Sequence, residues 1–154
     1  MIYWKTGQPG AGKTTLANAL AEALKVRGER SVVIDADEWR KTTSNHDYSR
    51  DGRRQNVLSA QIYAQFLNIE GRNGTKTTDH VVCAFVSPYR DIREDFKKKT
   101  NVIEVYVHTD NVRGREHYGV SDYEPPLSDF IDIDTGVFTV DQEVSIVLSA
   151  CPQI

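Results

Sequence analysis

The sequence predicts a three-layer α/β domain built on a parallel sheet of five strands. Two observations carry that expectation. Short β-branched runs alternate with segments whose apolar residues return every three or four positions, the pattern of strands joined by crossover helices. Between the first strand and the first helix stands a glycine-rich octapeptide, Gly7-Gln8-Pro9-Gly10-Ala11-Gly12-Lys13-Thr14. At 154 residues the chain is about one domain long and can bury a sizeable core. No internal repeat, low-complexity tract or linker interrupts it, so residues 1–154 are expected to form a single domain.

Taken in order, Met1 to Thr6 reads as a short strand, and Leu16, Leu20 and Leu24 give the stripe of a helix that Gly28 stops. Arg30 to Asp35 is a second strand centred on Val32-Val33-Ile34, and it ends in Asp35-Ala36-Asp37-Glu38-Trp39-Arg40. Residues 42–54 are polar and are expected to loop. Gln55 to Gly71 is expected to be helical, with Leu58, Ile62, Phe66 and Ile69 along one face. A turn-rich segment to Thr78 leads into Asp79 to Val86, an apolar run suited to a strand covered on both faces. It ends in Ser87-Pro88-Tyr89-Arg90. Asp91 to Lys99 reads as a short charged helix and Val102 to Val107 as a strand with Ile103, Val105 and Val107 on one face. Residues 109–128 are irregular, Phe130 to Ile133 is a last strand, and Asp141 to Ala150 a closing helix. The strand order 2-3-1-4-5 is carried over from the phosphate-loop kinases by analogy.

The octapeptide has the G-x-x-x-x-G-K-[ST] spacing of a phosphate-binding loop. Its glycines permit conformations in which successive N–H groups turn inward around an anion. Lys13 can reach the outer phosphates of ATP, the Thr14 hydroxyl can ligate magnesium, and the following helix points its positive end at the phosphates. Gly7 through Thr15 are therefore the expected ATP-binding residues, a chance glycine turn being the alternative. The net charge of −3 offers no global attraction for nucleic acid or an anionic membrane. No run approaches transmembrane length and no signal-peptide pattern is read before the loop, so a cytoplasmic location is expected. Cys83 and Cys151 lack metal-ligand spacing, and Cys83 reads as a buried reduced thiol.

Carboxylates at the C-terminal end of a parallel strand sit where open α/β sheets place their ligand crevice. Asp35 and Asp37 should thus share a rim with the phosphate loop and with Ser87 to Arg90, unless Asp37 merely caps a short helix. Phosphoryl transfer needs positioning and charge neutralisation more than covalent chemistry. Asp35 could orient or deprotonate an attacking hydroxyl or order metal-bound water; the residues alone leave those roles open. Arg40, Arg53 and Arg90 could clamp an anionic acceptor or simply be solvated. Tyr48 and Tyr89 could stack on a base or join the core.

These residues resemble the adenylylsulfate kinase family, which transfers phosphate from ATP to the 3′-hydroxyl of adenylylsulfate. The resemblance covers most of the chain: Gly7 to Leu20, the Asp35, Asp37 and Arg40 spacing, Asp47-Tyr48-Ser49 with Arg53 and Asn56, and the narrow match Phe85-Val86-Ser87-Pro88-Tyr89-Arg90. Gly119, Tyr123-Glu124-Pro125-Pro126 and Ile133-Asp134-Thr135 follow its late motifs. It implies that Lys13, Asp35 and Asp37 are catalytic, with Thr14 and Asp35 at the magnesium. Arg53, Asn56, Val86, Ser87, Pro88, Tyr89 and Arg90 would hold the acceptor, joined by Arg40, with Tyr48 at its adenine. The implied partners are small-molecule substrates, compatible with a homodimer. Three departures stand out. Ala36 separates the two acids where the family has glycine, and Leu58 and Ser59 stand where it has an arginine pair. The lid between Val112 and Gly119 is cut down, leaving Arg113 and Arg115 as its cations. Beside a kinase for adenylylsulfate or a close analogue, the departures therefore allow a small-molecule kinase with another hydroxyl acceptor. They also allow a nucleotide-binding module with little turnover, against which stand intact Lys13, Thr14, Asp35 and Asp37.

Overall fold

In the computed structural model, which describes residues 1–111 and 119–151, the five parallel strands expected from the sequence lie in the order β2-β3-β1-β4-β5, the order carried over by analogy. The elements are β1 (Ile2–Thr6), α1 (Lys13–Val26), β2 (Ser31–Asp35), α2 (Ala36–Thr43), α3 (Arg50–Asn68), β3 (His80–Ala84), α4 (Arg90–Lys99), β4 (Val102–His108), β5 (Phe130–Asp134) and α5 (Val140–Ser149). β1 is central, pairing Ile2 with Val81 of β3 on one side and with Val102 of β4 on the other.

The near-continuous apolar character of β1 and β3 follows from this placement, because a parallel strand with helices on both faces buries every side chain. On one face Tyr3, Val82, Val105 and Val107 pack under Leu16, Leu20 and Leu24 of α1 and Val144 and Val147 of α5. On the other, Ile2, Trp4, Cys83 and Phe85 meet Val57, Ala60 and Ala64 of α3 and Phe96 of α4. Trp4 stacks on Phe85 at 5.0 Å and meets Phe96 edge-on at 5.4 Å. Gly28 ends α1 as expected, at φ 79°. The Gly28 N–H bonds to the Lys25 carbonyl and the Glu29 N–H to the Leu24 carbonyl, the paired closure of a left-handed helix end.

Two expectations about residues 36–71 are corrected. The polar stretch 42–54 is mostly helical: α2 runs to Thr43, α3 begins at Arg50, and only 44–49 loop between them. The Ser49 hydroxyl accepts the Gly52 N–H at 3.1 Å, so a polar first turn is capped as a helix rather than left as a loop. Gly52 is required there, since a Cβ would stand 2.3 Å from Asp47 Cγ. The stripe Leu58, Ile62, Phe66 and Ile69 does share a face, but the outward one. The small Ala60 and Ala64 bring α3 close to the sheet instead, with Val57 and Leu67 beside them.

Candidate active site

The loop after β1 is shaped by close approaches. A Cβ on Gly7 would lie 2.0 Å from the Val107 carbonyl oxygen, so only glycine fits against β4. Gly12, at φ 101°, precedes α1 without a side-chain cap, which leaves the first-turn N–H groups aimed into the loop. Lys13 Nζ crosses the loop to donate to the Gln8 carbonyl at 2.8 Å. From beneath, the Thr135 hydroxyl donates to the Ala11 carbonyl at 2.8 Å. The Gln8 side chain does something the sequence reading missed. Its amide donates to the Val120 carbonyl and accepts the Val120 N–H, both at 2.8 Å, tying the loop to the segment after residue 118.

Beside the loop, the Thr14 hydroxyl donates to Asp35 Oδ2 at 2.7 Å, while Asp35 Oδ1 accepts the Asp37 N–H at 3.0 Å. The cap of α2 is therefore Asp35, and not Asp37 as the alternative reading had it. Asp37 is exposed on the first turn and lines the cleft. A magnesium ion fits these groups chemically. It is a hard cation commonly held by one or two carboxylates together with substrate phosphates, and Thr14 and Asp35 supply an adjacent hydroxyl and carboxylate. Among the described residues no cluster of three or more His, Cys, Asp or Glu offers an all-protein cage.

A cleft of about 1000 Å³ runs from this corner to the rim beyond β3. Arg40, Tyr48, Arg53 and Asn56 line it from α2, the 44–49 loop and α3; Val86, Ser87 and Pro88 line it from beyond β3. Arg40 donates to the carbonyls of Asn45 and Asp47 and to Asn45 Oδ1, and its guanidinium lies 4.1 Å over the Tyr48 ring. It thus holds the exposed Tyr48 at the mouth of the cleft. Arg53 faces Asp122 at 3.6 Å. Deep in the cleft, Asn56 Oδ1 and Ser87 Oγ are buried without a hydrogen-bond partner, and Ser87 adopts φ 46°, an uncommon conformation for a residue with a side chain. Unsatisfied polar atoms facing a cavity are groups that a ligand would complete.

Tyr89 and Arg90 do not line the cleft. Tyr89 is core, flanked by the guanidinium groups of Arg50 and Arg54, and burial raises its phenol. Arg90 Nε donates to the Pro125 carbonyl at 2.8 Å and fastens the rim from outside. Leu58 and Ser59 are likewise absent from the lining: the Ser59 hydroxyl accepts Trp39 Nε1–H at 3.1 Å and donates to the Asn56 carbonyl. Arg113 and Arg115 lie outside the described residues. The buried network that supports the rim was also missed. Arg93 donates to Glu104 Oε1 at 2.7 Å and to the carbonyls of Ser87 and Glu124 at 2.5 Å, with Lys97 Nζ 2.7 Å from Glu104 Oε2. The Thr6 hydroxyl adds a bond to the Val86 carbonyl at 2.7 Å and a contact with the Tyr123 hydroxyl at 2.9 Å. Glu104 inside the apolar run 102–107 was the available signal, since a buried acid demands a partner.

Comparison with known proteins agrees with this arrangement. A family model described as adenylylsulphate kinase matches residues 1–123. The chain is 30% identical to a probable adenylyl-sulfate kinase of Aeropyrum pernix, over 97% of this chain and 91% of the relative. It is 32% identical to a cytidine diphosphoramidate kinase of Campylobacter jejuni, over 88% of this chain and 76% of the relative. Among solved structures, the Mycobacterium tuberculosis APS kinase CysC in complex with AMPPNP and APS matches with a TM-score of 0.78, over 96% of this chain and 95% of that one. At 19% identity that is a likeness of fold.

Proposed function

Because the chain belongs to the adenylylsulphate kinase family and is an ATP-dependent phosphotransferase acting on a hydroxyl group, we propose that it transfers the γ-phosphoryl group to the 3′-hydroxyl of adenylylsulfate or a close analogue. The observation that carries this reading is one cleft with the Thr14–Asp35 pair at one end and the unsatisfied Asn56 and Ser87 at the other. Residues 1–154 act as one kinase domain. The N–H groups of Gly7 to Thr15 and the start of α1 hold the phosphates, and Lys13 neutralises their outer oxygens. Thr14 and Asp35 would hold magnesium, which when bound offsets charge on the phosphates. Both Asp35 oxygens already accept hydrogen bonds, so Asp37 is the carboxylate that steers the acceptor hydroxyl's proton. Arg53, Asn56 and the backbone from Val86 to Pro88 hold the acceptor, with Tyr48 stacking on its base. Tyr89, Arg90 and Arg40 act behind them, setting the rim and the Tyr48 loop.

A second acceptor has its own support. The Campylobacter jejuni relative is a cytidine diphosphoramidate kinase, and positions 58 and 59, where the family resemblance implies an arginine pair, bring no cation to this cleft. The deciding measurement is ADP release with each compound as acceptor, repeated with Lys13→Ala and Asp37→Asn. Stimulation by adenylylsulfate, lost in both variants, supports the first reading. Stimulation by cytidine diphosphoramidate alone moves the acceptor to the second. Tight ATP binding without transfer to either leaves a nucleotide-binding module. The substrates are small molecules on every one of these readings, and no described helix is long and apolar enough to cross a membrane.

A further inference from the structure

We propose that the Gln8 side chain is a positioning residue through which an occupied phosphate loop strengthens binding at the acceptor end of the cleft, an inference that rests on the kinase reading. Gln8 belongs to both sides at once. Its main chain lies within the loop, where its carbonyl accepts Lys13 Nζ at 2.8 Å and the Ala11 N–H at 3.2 Å. Its side-chain amide reaches out to residue 120, donating to the Val120 carbonyl and accepting the Val120 N–H, both at 2.8 Å. One amide thus pairs both its donor and its acceptor with those of a single residue, which fixes Val120 in orientation as well as position. The G-x-x-x-x-G-K-[ST] spacing places no demand on position 8, so the amide answers to Val120 and not to the phosphates.

What Val120 anchors is part of the acceptor wall. Gly119 and Val120 line the cleft. The Val120 carbonyl also accepts the Tyr123 N–H at 3.3 Å, closing a turn that carries Asp122. Asp122 stands 3.6 Å from Arg53 and 3.9 Å from Arg50, so the turn places the carboxylate that faces the cleft's Arg53. Past the turn the chain is fixed to parts outside the loop. The Tyr123 hydroxyl meets Thr6 Oγ1 at 2.9 Å, and the Glu124 N–H donates to the Pro88 carbonyl at 2.8 Å. Phosphates that hold the loop amides in one arrangement restrict Gln8, and through Gln8 they restrict the 120–123 turn. The turn is then ordered before the acceptor arrives, which tightens acceptor binding. By reciprocity the acceptor tightens nucleotide binding by the same factor.

Hydrogen exchange with ADP and magnesium reads this link without any acceptor. In the wild-type chain saturating ADP should slow exchange of the Val120 and Tyr123 amides several-fold. In Gln8→Leu, which removes both bonds at similar volume, saturating ADP should leave their exchange unchanged. The consequence for binding is read by calorimetry, with adenylylsulfate or cytidine diphosphoramidate, whichever stimulates ADP release, titrated with and without ADP and magnesium. ADP should tighten acceptor binding at least about fivefold in the wild type and less than about twofold in Gln8→Leu. Gln8→Glu separates positioning from packing. Its carboxylate accepts the Val120 N–H but cannot donate to the carbonyl, so coupling should be small near pH 7. It should return, relative to wild type, as pH falls toward about 5 and a growing share of protonated carboxyl donates as the amide does. ADP-induced protection that persists in Gln8→Leu overturns the proposal. So does acceptor coupling in Gln8→Leu equal to wild type, or coupling in Gln8→Glu that ignores pH. If neither compound stimulates ADP release, the proposed function fails, and the exchange at Val120 and Tyr123 still decides whether Gln8 carries the link.

Discussion

Near the C-terminal end of β1 an amine sits where the fold offers it nothing. Lys5 is fully buried, its Nζ has no hydrogen-bond partner, and burial pushes its pKa down to about 7. The unfolded amine titrates near 10.4, so above pH 7 the unfolded chain holds a proton that the folded chain has released. The cost of burying the ammonium is therefore present in full below pH 7 and relieved as pH rises. Between pH 7 and 9, urea melts should show stability rising by up to about 1.4 kcal/mol per pH unit. Beyond pH 9 the buried Cys83, pushed up to about 12, opposes the trend, because only the unfolded thiol ionises. Lys5→Met should abolish the slope and add roughly 2–4 kcal/mol at pH 7; an unchanged slope would assign it to another group. Asp35 permits a separation of fold from function. Asn can also accept the Asp37 N–H, so Asp35→Asn should keep the melting temperature while lowering turnover at least ~100-fold. Asp35→Ala should lose both, with about 1 kcal/mol of stability gone with the cap. The motif residues were legible because phosphate chemistry fixes their spacing. Lys5 was not, because a single letter in a strand does not say whether its side chain finds water.

Elements were legible where apolar periodicity and burial coincide, as in α1, β3 and β4. They were misread where they part. In α3 the largest apolar residues face out and alanines face in, so periodicity found the helix and not its core. The first turn was lost because its polarity outweighed the Ser49 cap. The same blindness hid Arg93 of α4, which a charged helix presents as one more solvated residue. Its guanidinium joins three elements, holding the Glu104 side chain of β4 and the carbonyls of Ser87 and Glu124. Arg93→Ala should cost about 3–5 kcal/mol in chemical denaturation, because Glu104 is left buried beside Lys97 alone. It should also raise the acceptor KM several-fold while leaving the KM for ATP unchanged, since the phosphate loop is braced separately by Thr135. Equal effects on both substrates would show that the network supports the whole cleft rather than its acceptor rim.

For the molecule as a whole, the alternation of strands and helices sufficed for the layer order, because parallel strands leave little choice about where their crossovers lie. The two sides of the cleft were not equally readable: the donor side is one contiguous octapeptide, whereas the acceptor side is assembled from α2, α3, the strand end beyond β3 and the segment around Val120. A central first strand also has a consequence for synthesis. β1 leaves the ribosome well before its neighbours β3 and β4, so it waits some eighty residues for one edge and a hundred for the other. Throughout that interval Ile2, Tyr3 and Trp4 are an unpaired apolar segment that the finished fold encloses completely. A fragment ending at Lys99 should therefore remain protease-sensitive and bind hydrophobic dyes, while one extended through β5 and α5 folds. A nascent chain arrested between those lengths is the form of this protein most in need of a chaperone.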